Sequence, residues 1–162
     1  MTRKTHFPPI VDDRTRVLIL GSLPGEASLK AGRYYAHPRN GFWRLTGAVI
    51  GRDLQAMDYE ARLAALGAAG IGLWDVVASA ERAGSLDAAI RSPQAADLRA
   101  LVAGLPGLRA AAFNGGAAAR LGMRQLAGAA IPLLALPSSS PAHARPFAGK
   151  LEGWSVLKPF LD

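Results

Sequence analysis

The residues able to do chemistry gather in three short segments of this chain. The first is Gly21-Ser22-Leu23-Pro24-Gly25. Its glycines let a ligand approach the backbone closely, and exposed N–H groups there can bind an anion or a base carbonyl. The same residues read equally as a tight turn, since turn geometry alone asks for proline and glycine. The second, from Arg33 through Tyr34, Tyr35, Ala36, His37, Pro38, Arg39 and Asn40 to Trp43, is the densest polar and aromatic cluster. Aromatic faces stack on nucleobases, and Arg33 and Arg39 can pair with phosphates. Asn40 stands where a helix should begin, so N-capping competes with any chemical role; Phe42 and Trp43 read as core. In the third, Ser138, Ser139 and Ser140 set small hydroxyls and closely spaced amides where they could grip a phosphodiester, with His143 and Arg145 following. An ordinary Ser/Pro loop is the competing reading.

Several classes drop out. With no cysteine in the chain there is no disulfide, thiolate zinc site, thiol nucleophile or cysteine-held iron–sulfur cluster. His6, His37 and His143 are scattered, so no metal site is expected. A P-loop lacks its Gly-Lys-Ser/Thr, and the dinucleotide G-x-G-x-x-G spacing is absent. Ser22, or one of Ser138 to Ser140, with His143 and Asp75 could be cast as a hydrolase triad, but no G-x-S-x-G elbow is present. Nineteen Lys and Arg against twelve Asp and Glu give a charge of +7. That excess suits a polyanionic partner and leaves DNA, RNA and a membrane surface open.

These segments need elements to hold them. Four short apolar runs read as buried strands: Val17–Leu20, Ile71–Trp74, Ala110–Phe113 and Pro132–Leu136. Helical patterns fill the gaps: one carries Phe42, Leu45 and Val49, and one is capped by Asp58. A third is read as starting at Ser92-Pro93, and a last one runs from Pro146 and is limited by Pro159 to Leu157 or Lys158. Strands alternating with helices predict an α/β fold with a mainly parallel sheet and helices on both faces. Ligands of such sheets bind beyond the carboxyl ends of the strands. That rule selects residues 21–40, Asp75, residues 114–116 and residues 138–145, the same segments that residue chemistry singles out. The 162 residues are expected to form a single domain, with 1–14 an irregular arm. Phe7-Pro8-Pro9 follows the basic amino terminus in place of a signal's apolar region, and no stretch reaches the roughly 20 apolar residues of a membrane span. A soluble cytoplasmic protein is expected.

GSLPGEASL after the first strand, YYAHPRNGFW before the first long helix and PSSSPAHAR after the last strand resemble the uracil-DNA glycosylase superfamily. Within it they are most similar to the hypoxanthine-DNA (deoxyinosine) glycosylase family, with GIGLWDV and FNGGAAARLG as weaker echoes. The resemblance covers about residues 15–162. It implies a three-layer αβα sandwich around a four-stranded sheet, and hydrolysis of the bond between a deaminated base and deoxyribose without cofactor or metal. It further implies catalytic roles for Asn40 and Asn114, and base contacts from Gly21, Ser22, Leu23, Pro24, Gly25, Tyr35 and Asp75. DNA contacts would come from Arg33, Arg39, Ser138, Ser139, Ser140, His143 and Arg145. The implied partner is double- or single-stranded DNA carrying such a base; separately, a monomer is expected. Two departures stand out. Leu23 occupies the place of the water-positioning asparagine of the G-I-N-P-G form, and the last motif lacks the histidine of H-P-S-P-L. Hypoxanthine is the first expected substrate. Uracil opposite guanine and a non-catalytic lesion binder are the alternatives.

Overall fold

The computed structural model describes residues 3–81, 85 and 91–162. Four strands, β2 (Val17–Gly21), β3 (Ile71–Asp75), β6 (Ala110–Asn114) and β7 (Leu133–Leu136), form one sheet in the order β3-β2-β6-β7. All three pairings are parallel, as the near-continuous apolar runs require of strands covered on both faces.

Alternation along β2 divides the core. Val17 and Ile19 face one layer with Phe42 and Leu45 of α2 (Phe42–Ile50), Leu66 of α3 (Tyr59–Ala69) and Trp154 of α6 (Phe147–Trp154). Leu18 and Leu20 face the other, with Leu98 of α4 (Leu98–Ala103) and Ala118 of α5 (Gly116–Gln125). The result is the expected αβα sandwich. Asp58 caps α3 through a 2.8 Å bond from Ala61 N, as its position before the apolar pattern predicts.

Three local expectations give way. The helix read from Ser92-Pro93 starts instead at Leu98, with Asp97 accepting from Ala100 N, while Arg91–Ala95 forms strand β5. β5 pairs with β4 (Val77–Glu81) through an interrupted register, and proline is tolerated on such an edge strand. In the arm expected to be irregular, β1 (Arg3–Thr5) adds antiparallel to β4, completing a second sheet of order β1-β4-β5; Met1 and Thr2 lie outside the described residues. Neighbouring strands, not local pattern, determine these elements. The last helix also does not stop at Pro159. After a 3₁₀ turn over Ser155–Leu157, α7 (Lys158–Leu161) places Pro159 in its first turn, where its missing N–H costs nothing.

No helix among the described residues is long and apolar enough to cross a membrane.

Candidate active site

The sheet delivers its carboxyl ends to one place. β2 ends at Gly21 and β3 at Asp75, and parallel register sets these two side by side. A Cβ on Gly21 would lie 2.7 Å from Asp75 Oδ1 and 3.3 Å from the Tyr35 hydroxyl. Only glycine keeps that floor open. β6 ends at Asn114, and Gly115 then turns the chain into α5 at φ +98°, a left-handed conformation that suits glycine.

Above these ends lies a cavity of about 430 Å³. Gly21 to Gly25, Tyr35, Asn40, Asp75, Asn114, Ser138 to Ser140 and His143 all line it. Arg33, Arg39 and Arg145 do not; they stay exposed outside it, Arg33 with its guanidinium 5.5 Å from the Tyr59 ring centroid. The base-contact and catalytic candidates therefore converge, and the arginines stand apart from them.

Tyr35 is the most constrained residue of the site. Its φ of 51° lies in the left-handed region, where a bulky residue is held only by its surroundings. Those surroundings are explicit. Its ring stacks on buried Phe42 at 3.8 Å between centroids and 10° between planes. Trp43 Nε1 donates to its carbonyl at 3.1 Å, and Ser28 Oγ accepts from the next backbone N–H, that of Ala36, at 3.1 Å. Phe42, Trp43 and Ser28 thus build the socket that aims Tyr35 at the cavity.

Asn40 stands one residue before the N-cap position expected of it and also lines the cavity. Gly41 is the N-cap of α2, and Asn40 Oδ1 accepts from Phe42 N at 3.0 Å, starting the helix. Its Nδ2 has no protein partner among the described residues, and Asn40 lines the cavity. Asn114 is engaged more fully. Its Oδ1 accepts from Ser139 N at 2.9 Å, while Nδ2 donates to Ser139 Oγ at 2.9 Å and reaches the Tyr35 hydroxyl at 3.4 Å. Ser139 is buried, and its carbonyl accepts from Gly41 N at 2.9 Å. One serine therefore joins the third segment to the second, beside Asn40.

Asp75 is 3% exposed, and together with burial its charge pushes the pKa of the Tyr34 phenol above the usual range. Tyr34 stays protonated and donates to Pro8 O at 3.1 Å. Leu23 is buried against the Leu18 and Leu20 layer, so its position supplies an apolar wall.

Two residues of the site escaped sequence reasoning. Ser85 lines the cavity, and its Oγ accepts from Glu26 N at 2.7 Å, pinning the start of α1 (Glu26–Ala31). No pattern in the sequence marks it, because it approaches from a distant connection. Lys150 is buried under the third segment, with Nζ donating to Ser140 O at 3.1 Å. Its one signal is a cation set within the apolar stripe of Phe147, Leu151 and Trp154. Among the described residues no group of three or more His, Asp and Glu stands together as metal ligands would.

A parallel αβα sandwich with a stacked aromatic, a buried carboxylate and two amides around one hollow is an arrangement for handling a single nucleobase. Residues 8–158 match the model of the uracil DNA glycosylase superfamily, and the chain belongs to that family. It is 39% identical over 161 residues to a protein of Methanosarcina barkeri named hypoxanthine DNA glycosylase, covering 94% of this chain and 96% of that one. It is 40% identical over 154 residues to a protein of the same name from Methanosarcina acetivorans, covering 95% and 97%. The solution NMR structure of a Methanosarcina acetivorans protein, described as a candidate uracil DNA glycosylase, superposes with a TM-score of 0.89 at 39% identity over 99% of each chain.

Proposed function

We propose that this protein is a monofunctional DNA glycosylase that removes hypoxanthine from deoxyinosine by base flipping and attack of water, leaving an abasic site. The reading rests on one observation above others: Tyr35 and Asn40, Asp75, and Asn114, from three distant parts of the chain, line a single cavity at the strand ends.

In the reaction the bond between C1′ of deoxyribose and N9 of the base breaks, a water oxygen bonds to C1′, and the base leaves with the electron pair and is protonated. Negative charge grows on the departing purine. Fixed donors placed where that charge develops, away from bulk water, lower the barrier most. Backbone N–H groups between Ser22 and Gly25 are suited to O6 or N7. Asp75 as a carboxylate accepts from N1–H, a donor that adenine lacks. The flipped base stacks on the Tyr35 face opposite Phe42. Asn40 is neutral and therefore no general base; its unpartnered Nδ2 orients the water or bonds the leaving base. Asn114, with its amide engaged by Ser139 and Tyr35, is a positioning residue in this reading.

Ser138 and Ser140 hold the kinked backbone, while the buried Ser139 is engaged by Asn114 and Gly41; the outlying Arg33, Arg39 and Arg145 contact phosphates, so binding falls steeply with salt. The reading is of a monomer acting in the cytoplasm, and no step calls on a metal or cofactor. The test is cleavage of end-labelled duplexes bearing one hypoxanthine or one uracil, with EDTA present and alkali added afterwards. Alkali-labile sites at hypoxanthine support the reading. Cleavage chiefly at uracil would instead favour the mismatch enzyme, for which the N3–H of uracil is an equivalent donor to Asp75. Tight binding without cleavage would favour a lesion binder.

A further inference from the structure

Among the described residues, Lys150 is a buried cation with no anion beside it. It is 7% exposed, and its side chain's single hydrogen bond among the described residues runs from Nζ to the Ser140 carbonyl at 3.1 Å. No carboxylate among those residues lies within ion-pair distance. Its charged neighbour is Arg145, a second cation: the Arg145 Nε sits 3.1 Å from where a Cβ on Gly149 would stand, on the residue preceding Lys150. Burial and Arg145 both push the Lys150 pKa below the usual lysine range. Burying an unpaired charge beside a like charge is unfavourable, and proteins ordinarily supply a partner.

The segment above Lys150 indicates what that partner is. Ser138 Oγ accepts from Ser140 N at 3.1 Å, and Ser140 Oγ accepts from Ala142 N at 3.2 Å. Each hydroxyl uses a lone pair inward, and neither proton has a protein acceptor among the described residues. A hydroxyl in that state is a donor awaiting an acceptor. Two such donors on the segment whose Ser140 carbonyl Lys150 holds, with neither Lys150 nor Arg145 in an ion pair among the described residues, match a tetrahedral anion with several acceptor oxygens and a negative charge.

We infer that Lys150 is the cation of a phosphodiester seat, completed by the Ser138 and Ser140 hydroxyls, which takes one backbone phosphate of the bound DNA strand. The missing counter-charge arrives with the substrate. Lys150 thereby acts on binding from beneath the segment, without lining the cavity itself. The inference rests on the reading of this protein as a DNA-acting enzyme and adds to it a specific phosphate-neutralising residue.

A charge role and a merely structural role separate in the salt dependence of binding. For duplex DNA the logarithmic slope of affinity against salt falls by about 0.9 for each phosphate that the protein ceases to neutralise. Binding to a fluorescent duplex carrying a non-cleavable abasic analogue is measured between low and moderate salt for the wild type, Lys150→Met, Lys150→Gln and Lys150→Arg. Gln keeps a donor for the Ser140 carbonyl without charge, and provides a second neutral variant should Met not fold. The neutral variants are expected to lose roughly tenfold in affinity at low salt, in the range of a charge-assisted hydrogen bond. Their slopes are expected to fall by about one, with Arg retaining the wild-type slope. A weaker affinity with an unchanged slope, or no change at all, overturns the inference while leaving the glycosylase reading intact. A wild type that neither binds this duplex nor cleaves hypoxanthine overturns both.

Discussion

Asn114 and Ser139 exchange two hydrogen bonds across the cavity wall, Ser139 N to Oδ1 and Nδ2 to Ser139 Oγ, each 2.9 Å long. Because the Ser139 carbonyl also receives Gly41 N, the end of β6 is tied to the residue next to Asn40. Losing the Asn114 amide leaves the buried Ser139 N–H without its acceptor, a loss of about 1–3 kcal/mol. Asn114→Ala is therefore expected to lower both the melting temperature and turnover. Thermal unfolding followed by circular dichroism, with single-turnover cleavage on the same preparation, checks this. Lost turnover with unchanged stability would instead assign Asn114 a direct part in the chemistry.

Asn40 offers a cleaner separation, because its two amide atoms have different jobs. Oδ1 starts α2, and Nδ2 has no protein partner among the described residues, on a residue that lines the cavity. Asn40→Asp keeps the acceptor and removes the donor, so it should leave stability near wild type while lowering kcat by about 10²–10³, the usual effect of removing one preorganised donor. Asn40→Ala should match it in kcat and lose stability as well. Affinity for an abasic-analogue duplex should change little in either. Equal losses of affinity and turnover would mark Asn40 as structural.

Asp75 carries the base preference in this account. Ala at position 75 removes the acceptor for N1–H, and the discrimination of hypoxanthine over adenine should fall by roughly 10- to 100-fold, the range of a hydrogen bond to a charged group. Competition between duplexes bearing each base measures it. A preference that survives Asp75→Ala would remove Asp75 from base reading.

His6 sets a pH limit on the fold. Its ring stacks on Trp74 at 4.9 Å, its Nδ1 is buried without a hydrogen bond among the described residues, and burial lowers its pKa from 6.5. Below about pH 6.5 the unfolded chain takes up a proton that the folded imidazole resists, so this residue's contribution to stability is intact above that pH and is lost as pH falls toward the lowered value. Comparing wild type with His6→Phe, which keeps a stacked ring, should show a steeper decline of melting temperature on acidification in the wild type. Parallel declines would contradict this role.

The division between what residues announce and what only tertiary packing supplies is visible in the same elements. The four strands of the parallel sheet are readable because each is a short apolar run, fully buried in β2 and β6 and only partly covered in the edge strand β7, and the strand-end rule then draws Gly21, Asp75, Asn114 and Ser138 together. β1, β4 and β5 are not readable, since RKT, VASAE and RSPQA carry no alternation and exist as strands through one another. At the site, residue type marks Tyr35 and Asn40 as chemically able. The left-handed backbone of Tyr35, the full engagement of the Asn114 amide and the burial of Lys150 are products of tertiary structure. Ser85 is the extreme case, an ordinary serine made part of the cavity by its approach to Glu26 N.

Hydrolysis by this protein must release an intact base, which mass spectrometry of both product fractions detects. A duplex with one deoxyinosine, incubated with the protein and EDTA, should yield free hypoxanthine and a full-length strand carrying an abasic site that breaks only on alkali. A strand already cut beside an intact deoxyinosine, or no free base despite tight binding, would contradict the account.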